Sequence, residues 1–278
     1  MKNKYTLTVL IPAYNNIEQT KVIINNFVSE QDVKIVISDD SEDNQAKRLN
    51  DFIESINQPN IIYVKRKIQD GAFANHNELL SHIDSKYYLF AHLGETYENK
   101  NFLQFLRISD PRGVKLIILP TSICNNTKKI YRNVYSYQQK ISYFFLRPFL
   151  PIKNIISSSL PCIIVSSEII EKFNTKLKYI VDIEWLYRIQ NNIQFNQIYF
   201  YKFSRVISHY KEDSITNLTK SIYFQLKNDL SIIFDKYNFI IKFNLFGGKY
   251  IVNMIFYTIF FFSYSIYYSK LFFKRVVF

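Results

Sequence analysis

Residues 35–44, IVISDDSEDN, set four carboxylates, Asp39, Asp40, Glu42 and Asp43, at the end of an apolar run in a chain of formal net charge +12. Carboxylates so placed can accept charge-assisted hydrogen bonds from a ligand. The competing reading is that Asp40, Ser41 and Asp43 cap the following helix. Two other polar stretches also follow apolar runs: PAYNN (12–16) after LTVLI, and HLGET (92–96) after YYLFA. Cys124 and Cys162 have no metal-ligand spacing and make no disulfide framework, so a reducing compartment is expected.

The elements that must carry these residues alternate along the first half of the chain. Strands are expected at 7–11, 33–38, 61–64, 87–91 and 115–119. Helices are expected from Ile17 to Phe27, with Asn15 or Asn16 as cap, near 46–56, and over 72–83. Near-continuous apolar strands between helices predict an α/β fold, with a mainly parallel sheet covered on both faces. Such sheets bind ligands beyond the carboxyl ends of their strands. All three polar stretches fall there. In the second half a strand is expected within 157–170, a helix over 182–190 and another strand over 199–210.

These stretches together resemble the family 2 glycosyltransferases of the GT-A fold. TVLIPAYNN resembles their opening strand and loop, and IVISDDSEDN their V-D-D-G-S-T-D motif. GAFANHN (71–77) is similar to their G-x-x-x-A-R-N, and NTKLKYIVDIEWLYRI (174–189) to the segment where an acid opens a helix bearing Trp, Leu and Arg. VISHYKEDSIT (206–216) resembles their R-x-H-x-x-S-x-T. The resemblance covers about residues 5–217, in the family's order and spacing. It implies a Rossmann-like GT-A domain over 1–217 that takes a nucleotide-sugar donor, UDP-type above all. The region 218–278 would be a separate helical part.

Residue by residue, the resemblance puts Asp39 where a carboxylate accepts the N3–H of a uracil-type base. Ser38 then replaces an Asp and Asp40 a Gly. Pro12 and Tyr14 lie in the donor loop, with Tyr14 placed to cover the base. His76 stands where the family has Arg, followed by Asn77. As a partly protonated imidazole His76 would hold diphosphate less firmly as pH rises. Its alternative is a solvent-facing helix residue.

The largest departure is at HLGET. His92 occupies the first acid position of the family's D-x-D, Gly94 the second and Glu95 the last. The implied cofactor is a divalent cation, Mn²⁺ or Mg²⁺, held by Glu95 with help from His92. Metal-free action and a degenerate site stand as alternatives.

Asp182 matches the catalytic acid residue, the base that takes a proton from the acceptor hydroxyl in an inverting displacement. Glu184 is its nearest rival, and an N-cap its structural alternative. Trp185 is expected in the core or as an acceptor wall, Arg188 in an ion pair, and His209 and Ser214 as a lid or as ordinary loop residues. Without a Q-x-x-R-W stretch, single addition is expected rather than processive synthesis, onto a glycan or lipid-linked glycan in surface-polysaccharide assembly.

Residues 250–269 carry no charge, yet five polar or tyrosine positions share one helical side. With Lys249, Lys270, Lys274 and Arg275 as flanks, a helix lying in an anionic membrane surface is expected, ahead of a span or a core helix. A cytoplasmic location at the inner membrane face follows. The N-terminus does not read as a signal peptide, and no basic block with interleaved aromatics points to nucleic acid. The rival functions are a sugar-nucleotide nucleotidyltransferase, against which PAYNN lacks Gly and basic residues, and a catalytically silent binding protein.

Overall fold

The computed structural model describes residues 4–68, 70–109, 113–125, 128–132, 160–178, 180–209, 228–229 and 231–232. The chain divides into two compact units, Met1–Leu226 and Lys227–Phe278. The first unit opens with β1 (Tyr5–Ala13), α1 (Ile17–Phe27), β2 (Val33–Asp39), α2 (Asp43–Ile56) and β3 (Ile61–Lys65). It continues with α3 (Ala72–Leu80), β4 (Ser85–Phe90), β5 (Glu95–Tyr97), α4 (Asn101–Ser109) and β6 (Leu116–Ile118). Then come β7 (Thr121–Asn125), β8 (Lys128–Arg132), β9 (Ile163–Ser166), α5 (Val181–Asn191), β10 (Ile198–Phe200) and β11 (Val206–His209).

Seven strands form the main sheet in the order β10-β6-β9-β4-β1-β2-β3. The expected parallel sheet is present with one exception: β9 runs antiparallel to both β4 and β6. From β1 the chain winds outward through β2 and β3, then returns to place β4 on the other side of β1. That reversal opens a crevice at the carboxyl ends of β1 and β4, where α/β sheets take ligands. Pro12 suits this edge. Pairing of β1 with β4 stops at Leu10 and Phe90, while pairing with β2 continues to Ala13 and Asp39. The N–H that proline lacks would have faced a strand already ended.

Alternate strand residues split between two faces. Leu7, Val9 and Ile11 of β1 and Ile35 and Ile37 of β2 pack with Ile23, Ile24 and Phe27 of α1 and with Phe102, Leu103 and Leu106 of α4. On the other face Phe90 meets His76 of α3 and Trp185 of α5 edge-on or tilted, at 5.2 and 6.0 Å between ring centres. Asn16 is the cap of α1, its side chain accepting from the Gln19 amide at 3.1 Å. The expected strand over 199–210 is two strands. β10 edges the main sheet, and β11 belongs to a second sheet of order β5-β11-β7-β8.

Residues 250–269 lie outside the described residues. Among the described residues no helix is long and apolar enough to cross a membrane.

Candidate active site

The acid cluster is interlocked with the ends of β1 and β3. Asp39 is 0% exposed. Its Oδ1 accepts from the Ser41 amide and its Oδ2 from the Tyr63 hydroxyl, each at 2.8 Å. Burial and the neighbouring carboxylate push the Tyr63 phenol pKa up, so Tyr63 stays a donor. Asp39 therefore organises the loop, rather than presenting a free oxygen to a base as expected. Ser38 beside it is fully buried.

Asp40 donates its amide to the Ala13 carbonyl at 3.0 Å. Its carboxylate accepts from Arg66 Nη1 at 3.1 and 3.0 Å. Burial raises its pKa while Arg66 opposes the rise. Arg66 also pairs with Asp70 just before α3, and Lys65 donates to the Ser41 carbonyl. Asn15, at φ 44°, gives its amide to Ser41 Oγ at 2.7 Å and accepts from the Glu42 amide at 3.0 Å.

The helix-capping reading fails here. The N-cap of α2 is Glu42, which makes no side-chain cap bond, and Asp43 is the first helical residue. Tyr14 stands 59% exposed at the rim, open to stack on a ligand. Tyr63, Lys65 and Arg66 were not singled out in the sequence. The available signal was the run of cations closing β3 opposite an acidic loop.

Across the crevice the setting is dry. His76 is 5% exposed, against both sequence readings of it, as a diphosphate cation and as a solvent-facing residue. Its Nδ1 lies 2.7 Å from the Ala72 carbonyl and its Nε2 3.0 Å from His92 Nε2. Burial drives the His76 pKa to about 4, and burial with His76 alongside drives that of His92 to about 3. Both rings are neutral at ordinary pH.

Asn77 is a clamp rather than a donor contact. Its side-chain amide donates to the Phe173 carbonyl at 3.0 Å and accepts from the Phe173 amide at 2.7 Å. Asn75, next to His76, reaches the Ala13 carbonyl at 3.4 Å.

Phe173 stacks on Trp185 at 4.9 Å between centres, 13° from coplanar. Trp185 is 0% exposed and donates Nε1–H to the Glu171 carbonyl, so it is core and no acceptor wall. Asp182 lies three residues earlier on the same helix face as Trp185, which meets Phe90 at the end of β4. It is not the N-cap, which is Ile180. Asp182 Oδ1 accepts from the Ile183 amide at 2.9 Å, and burial raises its carboxyl pKa. A carboxylate so desolvated is a stronger base. Glu184, the rival, is fully buried and engaged by Arg188 at 3.0 and 3.1 Å. Arg188 is thus in the expected ion pair.

The ends of β1 and β2 are joined through the acid loop, and Phe90 at the end of β4 meets Trp185 of α5. His209 ends β11 with its backbone opposite Cys124. Its side chain, and Ser214 altogether, lie outside the described residues. An open cleft of about 380 Å³ lined by Lys115, Glu168, Glu171 and Asn192 contains none of the expected site residues.

The fit for a divalent ion is narrow. Among the described residues no three His, Cys, Asp or Glu side chains gather to hold one. The expected ligand His92 has its Nε2 turned to His76. Glu95, at the start of β5, is left as the hard-oxygen donor of the D-x-D position. One carboxylate suits an ion that also binds phosphate oxygens and water.

A family model described as Glycosyl transferase family 2 matches residues 8–173. No curated protein matches the chain. Among solved structures, S. aureus TarS 1-349 in complex with UDP-GlcNAc is similar at 15% identity and a TM-score of 0.58, over 79% of this chain and 61% of that one. The same protein in complex with UDP is similar at 13% identity and a TM-score of 0.53, over 76% and 61%. A longer S. aureus TarS structure gives 13% identity and a TM-score of 0.55, over 77% and 37%. This chain thus spans less than two thirds of the length of these neighbours, and likeness at such identity speaks for a shared mixed α/β fold. The family model covers more than half of the sequence, so the chain belongs to glycosyl transferase family 2.

Proposed function

We propose that this chain is an inverting glycosyltransferase that moves one sugar from a nucleotide-sugar, of UDP type, to a hydroxyl of a glycan or lipid-linked glycan precursor. The observation that carries this reading is a desolvated carboxylate, Asp182, on the helix that packs against the end of β4, in a family 2 chain whose acid loop is tightly latched. The neighbours solved with UDP-GlcNAc and UDP favour a uridine donor.

In this mechanism the nucleoside sits at the ends of β1 and β2. Tyr14 covers the base, while Asp39 and Asp40 hold the loop's shape from beneath. The acceptor hydroxyl approaches Asp182, whose carboxylate takes the proton as the oxygen bonds to the anomeric carbon. The bond to the nucleoside diphosphate breaks on the opposite face, which inverts the centre. A Mn²⁺ or Mg²⁺ ion, held by Glu95 and the diphosphate together, would neutralise charge on the leaving group. His209 and Ser214 would close over the diphosphate, as the resemblance to the family implies.

Surface-polysaccharide assembly is the biosynthetic setting of this proposal. The tail over 250–269, with its basic flanks, would hold the enzyme on the cytoplasmic face of the inner membrane, beside a lipid-linked acceptor. Truncation at residue 246 should release the protein from membranes, and retention there would reject the anchoring role.

The direct test is incubation with a panel of nucleotide-sugars, with and without Mn²⁺. Release of nucleoside diphosphate is expected. Pyrophosphate would identify a nucleotidyltransferase, and no product with any donor would leave a silent binding protein.

A further inference from the structure

We propose that His76 and His92 form a hydrogen-bonded couple that positions the turn carrying Glu95 against α3, in place of the arginine and aspartate expected at these two positions. The inference deepens the donor-site reading and rests on it for its functional meaning, though not for its geometry.

The proton positions follow from the partners. A carbonyl oxygen only accepts, so the His76 nitrogen 2.7 Å from the Ala72 carbonyl, Nδ1, carries the hydrogen. Nε2 of a neutral His76 is then bare. The nitrogen facing it at 3.0 Å, His92 Nε2, must donate.

The surroundings of His76 are apolar. His76 has the rings of Phe73, Phe90 and Phe173 at 5.4, 5.2 and 5.3 Å between centres, and His92 edge-on at 5.1 Å. No carboxylate is hydrogen-bonded to either ring in the pairs described.

The couple does mechanical work on the site. His92 starts the short turn through Gly94, at φ 89°, into β5, and its carbonyl accepts the Glu95 amide at 3.3 Å. Fixing the His92 ring to α3 therefore fixes where that turn leaves the sheet, and with it where Glu95 begins. The two departures from the family pattern also explain one another. A buried arginine without its acid, or the acid without its arginine, would be an unpaired charge in an apolar setting. Two imidazoles that share a hydrogen bond satisfy one another without needing such a charge pair.

Two measurements test this. Ring-nitrogen NMR of the full chain should show His76 protonated at Nδ1, with coupling through a hydrogen bond between the two Nε2 atoms. His76 without a hydrogen on Nδ1, or no bond between the two Nε2 atoms, overturns the proposal. In a swap cycle, H76R and H92D should each lower the unfolding midpoint and weaken UDP binding about tenfold or more. The H76R/H92D double variant should recover most of both losses. Losses that simply add overturn the coupling. If UDP fails to bind the unaltered chain, the donor reading fails, while the NMR spectra and the unfolding midpoints still judge the couple.

Discussion

The two sides of the crevice are held by opposite means. On the β2–β3 side the loop is fastened by charge: Arg66 to Asp40 and Asp70, Lys65 to the Ser41 carbonyl, Tyr63 to Asp39. On the α3–α5 side Phe73, Phe90, Phe173 and Trp185 surround an uncharged histidine couple. Nucleotide recognition needs polar groups kept in place. Activating a hydroxyl needs a carboxylate short of water. The contrast predicts that the two sides respond differently to mutation and to pH.

The largest effect is expected on the dry side. Asp182→Asn should lower turnover by about 10²–10⁴-fold and leave UDP affinity within a few-fold. A loss of affinity with unchanged turnover would move Asp182 to the nucleotide side. Trp185→Ala should cost about 3–5 kcal/mol of stability by denaturant titration. It removes a fully buried indole and leaves the Glu171 carbonyl without its donor.

Acid should strike the same side next. His76 and His92 have folded pKa values of about 4 and about 3, below the ordinary 6.5. The unfolded chain therefore binds protons first. The stability these residues support is complete above about pH 6.5 and falls as pH drops toward 4. The raised carboxyls of Asp40 and Asp182 act in the opposite sense over the acid range. Denaturation midpoints at pH 8, 6 and 5 read the sum, and His76→Asn should flatten the slope. The smallest effect belongs to the charged side. Tyr63→Phe should cost about 1.5–3 kcal/mol, with the larger change in UDP affinity, since it frees an oxygen of Asp39 and loosens the loop.

The same contrast explains what could be read from the sequence. β1 to β4, and the polar exits of β1, β2 and β4, were legible because long apolar runs leave few alternatives, and Asn16 caps α1 as expected. β5 and β10 are only three residues each, too short to display a period. Residues 199–210 look continuous because both pieces are β-rich. The break over residues 201–205 depends on which sheet each piece joins, a tertiary choice. The role of His76 was misjudged because burial by Phe173 comes from nearly a hundred residues away. The latch at Arg66 was missed because its partner lies across two strand ends.

Asn77 imitates a peptide unit, offering Phe173 one donor and one acceptor as a neighbouring strand would. The stretch that leads into α5 is thus registered to α3 by a side chain from a distant part of the sequence. Anyone recombining halves of family members would have to carry that asparagine across the junction. A chimera lacking it would inherit Asp182 without the alignment that makes it useful.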